Sequence, residues 1–259
     1  MTGIKERKAQ MLGRKKSNKQ EDWVKAWEQA KKERDVDRSE KLINIALSRL
    51  PSNLDNCVYG WSGGKDTLAL EIILNRTGEK VRCCHGTIGK QWEYPSFYDF
   101  CQKHNPKHCV DYDFGITDEY LAERPKLIFP EDHKEEAKWY VICNQAAFYG
   151  YGKDAGAEHI LLGHRSIDGN ITSSHKNGKL FPIGDFSHED LFCILACHDV
   201  QLPDIYYYPD GFYHGTHAWI MRVGGKKAME EVWNIDKELL IAHKNLPKIN
   251  EFLKEKGIA

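Results

Sequence analysis

The chain has no apolar run near the roughly 18 residues that a membrane-crossing helix needs. Its lysine-rich beginning has no apolar segment behind it, which is not the make-up of a secretory signal. The expectation is a cytoplasmic protein that does not span a membrane. Charge of one sign is lacking too: the formal net charge is −1, so the body of the protein advertises no strong attraction to nucleic acid or to an anionic lipid surface. Eight cysteines are present, but they lie mostly inside apolar runs, which predicts reduced core thiols rather than a disulfide framework. With 259 residues, the chain is long enough for one α/β domain of about 170 to 200 residues plus extensions.

Two familiar phosphate-binding patterns are missing as well. A P-loop needs Gly, four residues, then Gly-Lys-Ser/Thr; here Gly64-Lys65 is followed by Asp66, and Tyr59 stands where the first glycine belongs. The dinucleotide fingerprint Gly-x-Gly-x-x-Gly is absent from the same joint. What stands there is Val58-Tyr59-Gly60-Trp61-Ser62-Gly63-Gly64-Lys65-Asp66-Thr67. Residues 56–61 read as a buried strand and residues 67–75 as a buried helix, with two glycines between them. Lacking Cβ atoms, Gly63 and Gly64 let backbone N–H groups point at a ligand, and the helix beyond adds the positive end of its dipole. Such a joint suits an anion, phosphate above all.

Along the rest of the chain, residues 1–19 carry seven Lys and Arg against Glu6 and read as a solvated, flexible basic arm, with a nucleic-acid contact as the alternative. Trp23, Trp27 and Ala30 form a helical stripe over residues 20–34. A second helix is expected over 39–49 with Ser39 as its N-cap. Strands are expected over 80–85, 108–114 and 159–163, with a loop and helix over 92–103 and a helix over 135–149, the latter ended by Gly150 and Gly152. Asn177-Gly178 predicts a tight hairpin turn within 171–183, and Ser187-x-x-Asp190 a capping box opening a helix to about residue 198. The series Cys101-x-x-His104-x-x-x-His108-Cys109 has zinc-like chemistry, but Asn105-Pro106 breaks it across a turn, so packing is the preferred reading. Alternating strands and helices predict an α/β fold with a doubly wound, mostly parallel sheet, flanked by N-terminal and C-terminal helical extensions. The expected organisation is an arm over 1–19, a helical extension over 20–50, a nucleotide-binding domain over 51–220 and a helical cap over 221–259. Arg165, leaving a buried strand in Gly163-His164-Arg165-Ser166-Ile167-Asp168, is placed either to clamp an anion or to pair with Asp168 and hold its loop shut.

Ser62-Gly-Gly-Lys-Asp-Thr67 resembles the pyrophosphate loop (PP-loop) of the ATP pyrophosphatase superfamily, usually Ser-Gly-Gly-x-Asp-Ser, with Thr67 keeping the hydroxyl. Further along, Phe181-Pro-Ile-Gly-Asp-Phe-Ser-His-Glu-Asp-Leu-Phe, then Leu202-Pro-Asp-Ile-Tyr206, then Gly211-Phe212, is similar to the pattern of the phosphoadenosine phosphosulfate (PAPS) reductase family, which also holds the small catalytic subunit of ATP sulfurylase. Gly163-x-Arg165 with Asp168 is similar to that family's Gly-x-Arg-x-x-Glu-Ser, and Glu93-x-Pro95 resembles its segment after the second strand. The resemblance covers residues 55–220. It departs in one respect: no cysteine follows Cys197, and Gly215-Thr216 stands where the family often has Gly-Cys, which argues against thiol-based reductase chemistry.

The resemblance implies ATP as the nucleotide, with Ser62, Gly63, Gly64 and Thr67 around its β,γ-pyrophosphate and Lys65 neutralising charge as the α–β bond breaks. Asp66 would fix the loop or help hold Mg²⁺. Adenine would lie near Trp61, His85, Gly86 and Thr87, and Arg165, with Gly163 and His164 beside it, would hold the α-phosphate or an acidic acceptor. His214 and His217 are further contacts of lower priority. The expected activity is adenylyl transfer with pyrophosphate release. A PAPS or APS reductase and a non-catalytic nucleotide-binding subunit of a modification complex are the alternatives, and a protein partner or a second copy of the chain is the expected associate.

Overall fold

The computed structural model describes residues 12–14, 17–87, 95–113, 146–168, 175–176, 178–208, 210–216 and 254. Two helices precede the first strand. In α1 (Gln20–Glu33) Trp23 and Trp27 of the expected stripe are buried and Ala30 is half-buried, with Ala26 buried beside them. Helix α2 (Val36–Leu47) begins earlier than expected, because Asp35 and not Ser39 is its N-cap: the Asp35 side chain accepts from the Arg38 N–H at 3.0 Å. Arg34, with φ 41°, ends α1, and the cap follows at once. Ser39 is buried inside the helix. The solvated-arm expectation fails at Leu12, which is wholly buried and donates its N–H to Glu189 Oε1 at 2.7 Å.

The sheet is built from β1 (Cys57–Gly60), β2 (Arg82–Thr87), β3 (Cys109–Asp113), β4 (His159–Leu161), β5 (His175–Lys176) and β6 (Lys179–Leu180), in the spatial order β3-β2-β1-β4-β6-β5. Neighbours pair in parallel except β5 with β6, the expected hairpin, whose turn carries Gly178 at φ 74°. Alternation along β1 sorts the two faces. Cys57, Tyr59 and Trp61 join the main core with α1, α2, α3 (Lys65–Asn75) and α6 (His188–Cys197), while Gly60 meets the Phe148 ring of α5 (Ala146–Asp154) on the opposite face. With helices on both faces, the sheet is doubly wound. The extension helices α1 and α2 pack on α6.

Helix α4 (Pro95–His104) lies between β2 and β3. The expectation that Gly150 and Gly152 end their helix is corrected: α5 continues to Asp154, and the two glycines let it approach the sheet. A Cβ on Gly150 would come within 3.0 Å of the Tyr112 ring, and one on Gly152 within 3.2 Å of Ile160. The expected helical residues 135–145, and the expected cap over 221–259 apart from residue 254, lie outside the described residues. Ser187 and Asp190 form the predicted capping box at the start of α6. Among the described residues no helix is long and apolar enough to cross a membrane.

Candidate functional site

From β1 the chain winds one way to β2 and β3, then returns to place β4 on the other side of β1. The order of winding reverses between β1 and β4, and ligands of such sheets bind beyond the carboxyl ends of the strands at that reversal. The loop Ser62–Gly64 leaves β1 there, and the segment 162–165 leaves β4 beside it. The Trp61 N–H still donates to the Cys84 carbonyl at 2.8 Å, so departure from the sheet begins at Ser62.

The loop is held by its own hydroxyls. Thr67 Oγ1 accepts the Ser62 N–H at 3.1 Å and donates to the Gly64 carbonyl at 3.1 Å, with Ser62 Oγ 3.3 Å away. Gly63 takes φ 63°, a conformation that costs little only without a Cβ, and a Cβ there would also press on Cys101 Sγ at 3.1 Å. The Lys65 N–H, at the start of α3, donates to the hydroxyl of Tyr206 at 2.9 Å. Among the described residues, neither the Gly63 nor the Gly64 N–H donates to any group. Two adjacent amides without a partner among the described residues, at the positive end of a helix, have the donor chemistry that suits an anion.

Charge is concentrated just behind the loop. Lys65 is buried, and its Nζ lies 2.7 Å from Asp66 Oδ2; the other Asp66 oxygen receives the Arg165 Nε–H at 2.7 Å. Arg165 is wholly buried and commits every nitrogen: Nη1 donates to the Phe186 carbonyl at 3.2 Å, and Nη2 serves His188 Nδ1 at 2.9 Å and Asp168 Oδ2 at 3.1 Å. A guanidinium only donates, so His188 Nδ1 is an acceptor and the proton of the neutral ring sits on Nε2. Of the two readings of Arg165, the pair with Asp168 is present, and the side chain is wholly buried. Gly163 makes this arrangement sterically feasible, because a Cβ on it would lie 3.2 Å from both the carbonyl carbon and the Cβ of Asp66.

The expected adenine neighbours divide. The Trp61 side chain is wholly buried, and its indole N–H donates to Glu71 Oε2 at 2.7 Å, so the residue has only backbone to offer a ligand. Burial raises the Glu71 carboxyl above the ordinary carboxylate range, and the bond from Trp61 offsets that only in part. Trp61 meets the His85 ring edge-on at 5.8 Å, and His85 Nδ1 lies 3.0 Å from Asp111 Oδ1, a contact that draws the Asp111 carboxyl below its usual value. Gly86 is half-buried, and Thr87 ends β2. His164 stacks on Phe181 with ring centroids 6.0 Å apart, and burial lowers its pKa. The side chain of His214 and all of His217, like Glu93, lie outside the described residues.

The zinc-like series is dispersed by the fold: Cys101 packs by Gly63, His104 stacks on Phe100, His108 Nε2 meets the Val81 carbonyl, and Cys109 meets Cys83. Among the described residues no cluster of three or more potential ligands gathers. All the described cysteines are free, and burial pushes the Cys57 thiol up to about 11 and that of Cys193 up to about 12. Sequence reasoning missed His188 and Glu71 as partners of the site. His188 stands in the run similar to the PAPS reductase pattern and Glu71 in a predicted helix, but the partner of each is reached through the fold alone.

Strand order and glycine loop together define a doubly wound α/β protein with a glycine loop opening a helix at its switch point. No protein-family model matches the chain, and no curated protein matches it by sequence. Among solved structures, the chain is similar to a PAPS reductase from Candida auris in complex with phosphate, at TM-score 0.45 and 13% identity over 64% of this chain and 82% of that one. It is also similar to the U34-tRNA thiolase NcsA from Methanococcus maripaludis with its [4Fe-4S] cluster, at TM-score 0.42 and 13% identity over 86% of this chain and 79% of that one.

Proposed function

We propose that this protein binds ATP with the β- and γ-phosphates over Gly63 and Gly64 and cleaves it between the α- and β-phosphates, passing the adenylyl group to an acceptor and releasing pyrophosphate. The observation that carries the reading is the pair of adjacent amides, Gly63 and Gly64, that donate to nothing among the described residues while a buried ammonium, Lys65, waits beside them on Asp66. Preorganised donors of this kind stabilise charge that grows on a leaving pyrophosphate without reorganising at the moment of reaction.

In this reading Lys65 exchanges its bond to Asp66 for one to the phosphates. Asp66 is then the carboxylate at hand for Mg²⁺, which is held mainly by the phosphates and water, as is usual for that ion. Bound there, the metal would offset phosphate charge. Arg165 keeps Asp66 in place and does not touch the nucleotide. Thiol attack as in a sulfonucleotide reductase finds no support at Cys57, Cys83, Cys84 and Cys193, where burial disfavours the thiolate. The acceptor and any protein or nucleic-acid partner are to be identified by supplying candidates.

The test is pyrophosphate release, or exchange of labelled pyrophosphate into ATP, with Mg²⁺ and a panel of acceptors. The expected result is turnover by the native chain and a loss of at least about 100-fold in Lys65→Ala, the scale of one removed charge-stabilising donor. Unchanged turnover in Lys65→Ala, or binding of ATP with no exchange under any acceptor, sinks the proposal.

A further inference from the structure

Beyond α6 the chain crosses to the loop and closes one side of it. A 3₁₀ turn (Asp204–Tyr207) delivers Tyr206, whose hydroxyl accepts the Lys65 N–H, and α7 (Gly211–His214) follows directly. Contacts with α1 hold this segment, among them the bond from the Trp27 indole N–H to the Tyr207 hydroxyl at 2.9 Å. Gln20 donates to the Tyr206 carbonyl at 2.8 Å and accepts the Phe212 N–H at 3.1 Å, while the Phe212 ring stacks on Trp23 at 5.6 Å. Gly211 lies so close to Tyr206 that a Cβ would fall 2.2 Å from the Tyr206 carbonyl oxygen. Gly215, with φ 66° and ψ −152°, then turns the chain back in a conformation reserved for glycine. The next residue is Thr216. Its Oγ1 lies 3.0 Å from the point where a Cβ on Gly64 would sit, with Ser62 Oγ at 3.3 Å and Tyr206 Oη at 3.4 Å from that same point. Thr216 makes no hydrogen bond among the described residues.

We infer that Thr216 is a ligand of the anion held by the loop: its hydroxyl donates to a phosphate oxygen above Gly64, beside the Gly63 and Gly64 amides. This inference rests on the proposed nucleotide reading and adds a wall to that site from a segment far along the chain. Three hydroxyls meet at the Cα side of Gly64, and two of them have tasks in holding the fold. Ser62 Oγ lies against Thr67, and Tyr206 Oη holds the Lys65 amide; Thr216 has none that the described residues supply. A hydroxyl placed by a glycine-only turn against the phosphate loop, with no hydrogen bond among the described residues, is suited to donate to an oxygen that arrives there. The 202–216 segment therefore contributes to binding as well as to packing, and the affinity of the loop depends on α1 through Gln20.

The test measures the affinity of full-length protein for the non-cleavable analogue α,β-methylene-ATP with Mg²⁺, and for inorganic pyrophosphate, in the native chain, Thr216→Val and Thr216→Ser. Loss of one hydrogen bond to a charged group predicts a dissociation constant raised about tenfold in Thr216→Val, with Thr216→Ser within about twofold of native. The ligand-free thermal midpoints of both variants are expected within about 2 °C of native, since an unbonded hydroxyl holds nothing in the fold. Equal affinity in the native chain and Thr216→Val overturns this inference and leaves the nucleotide reading standing. A native chain that binds neither probe overturns both. A midpoint that falls together with affinity, with no rescue by serine, makes Thr216 a packing residue and also overturns the inference.

Discussion

The Nε–H of Arg165 donates to Asp66 Oδ1 at 2.7 Å, although the two residues leave different strands and lie 99 positions apart. Arg165 is wholly buried, and Asp66 supports Lys65 with its second oxygen, so one ion pair joins the phosphate loop to the segment after β4. A buried guanidinium with several bonded partners is weak evidence of net stabilisation, but removing it leaves carboxylates facing an apolar interior. Arg165→Ala is therefore expected to destabilise the fold by about 3–5 kcal/mol, read as a lowered urea midpoint. Arg165→Lys is expected to rescue little, because an ammonium cannot reproduce the planar fork that reaches Asp66, Asp168, His188 and the Phe186 carbonyl together. A lysine variant of native stability would refute this account.

Gly163 should not tolerate alanine. The obstruction is the backbone and Cβ of Asp66 at 3.2 Å, which cannot swing aside as a flexible side-chain end can. The expected cost is about 1–3 kcal/mol, with Asp66 displaced and affinity for α,β-methylene-ATP lowered as well. Denaturant unfolding and calorimetric titration of Gly163→Ala read the two effects separately.

Glu71 links the core to pH. Its folded carboxyl pKa is raised, so the native state holds the proton more tightly than the unfolded chain does. The associated stability is fully present below the unfolded value of about 4.3 and is lost as pH rises through the folded value. Glu71→Gln keeps an acceptor for the Trp61 indole and removes the ionisation. Its thermal midpoint relative to native is expected to climb with pH from about 4 upward and to level off once the native Glu71 is ionised. A constant difference across that range would be the contrary result.

Tyr206→Phe deletes the acceptor of the Lys65 N–H while leaving the ring against Phe212, 4.9 Å away. An amide left without a partner at a buried helix start costs about 1–3 kcal/mol, which predicts a lowered urea midpoint in the ligand-free protein. A midpoint equal to that of the native chain would mean that the hydroxyl does not cap α3.

Local sequence determined the elements. Glycine pairs, β-rich runs and the Ser187–Asp190 box act through near-neighbour sterics and short-range hydrogen bonds, so the strand–loop–helix at Ser62–Thr67, the hairpin at Gly178 and α6 are legible without a fold. The helix boundaries that misled show where local signals compete: Asp35 and Ser39 are both competent caps, and Gly150 and Gly152 resemble stops until a sheet is packed against them. Only the tertiary structure decided the partners. That Arg165 turns inward to Asp66, that Trp61 is sealed against Glu71, and that Tyr206 and Thr216 close over Gly64 all depend on contacts between residues remote in the chain. Such contacts are set by strand order and helix packing, and a linear pattern records which groups are available but not which of them meet.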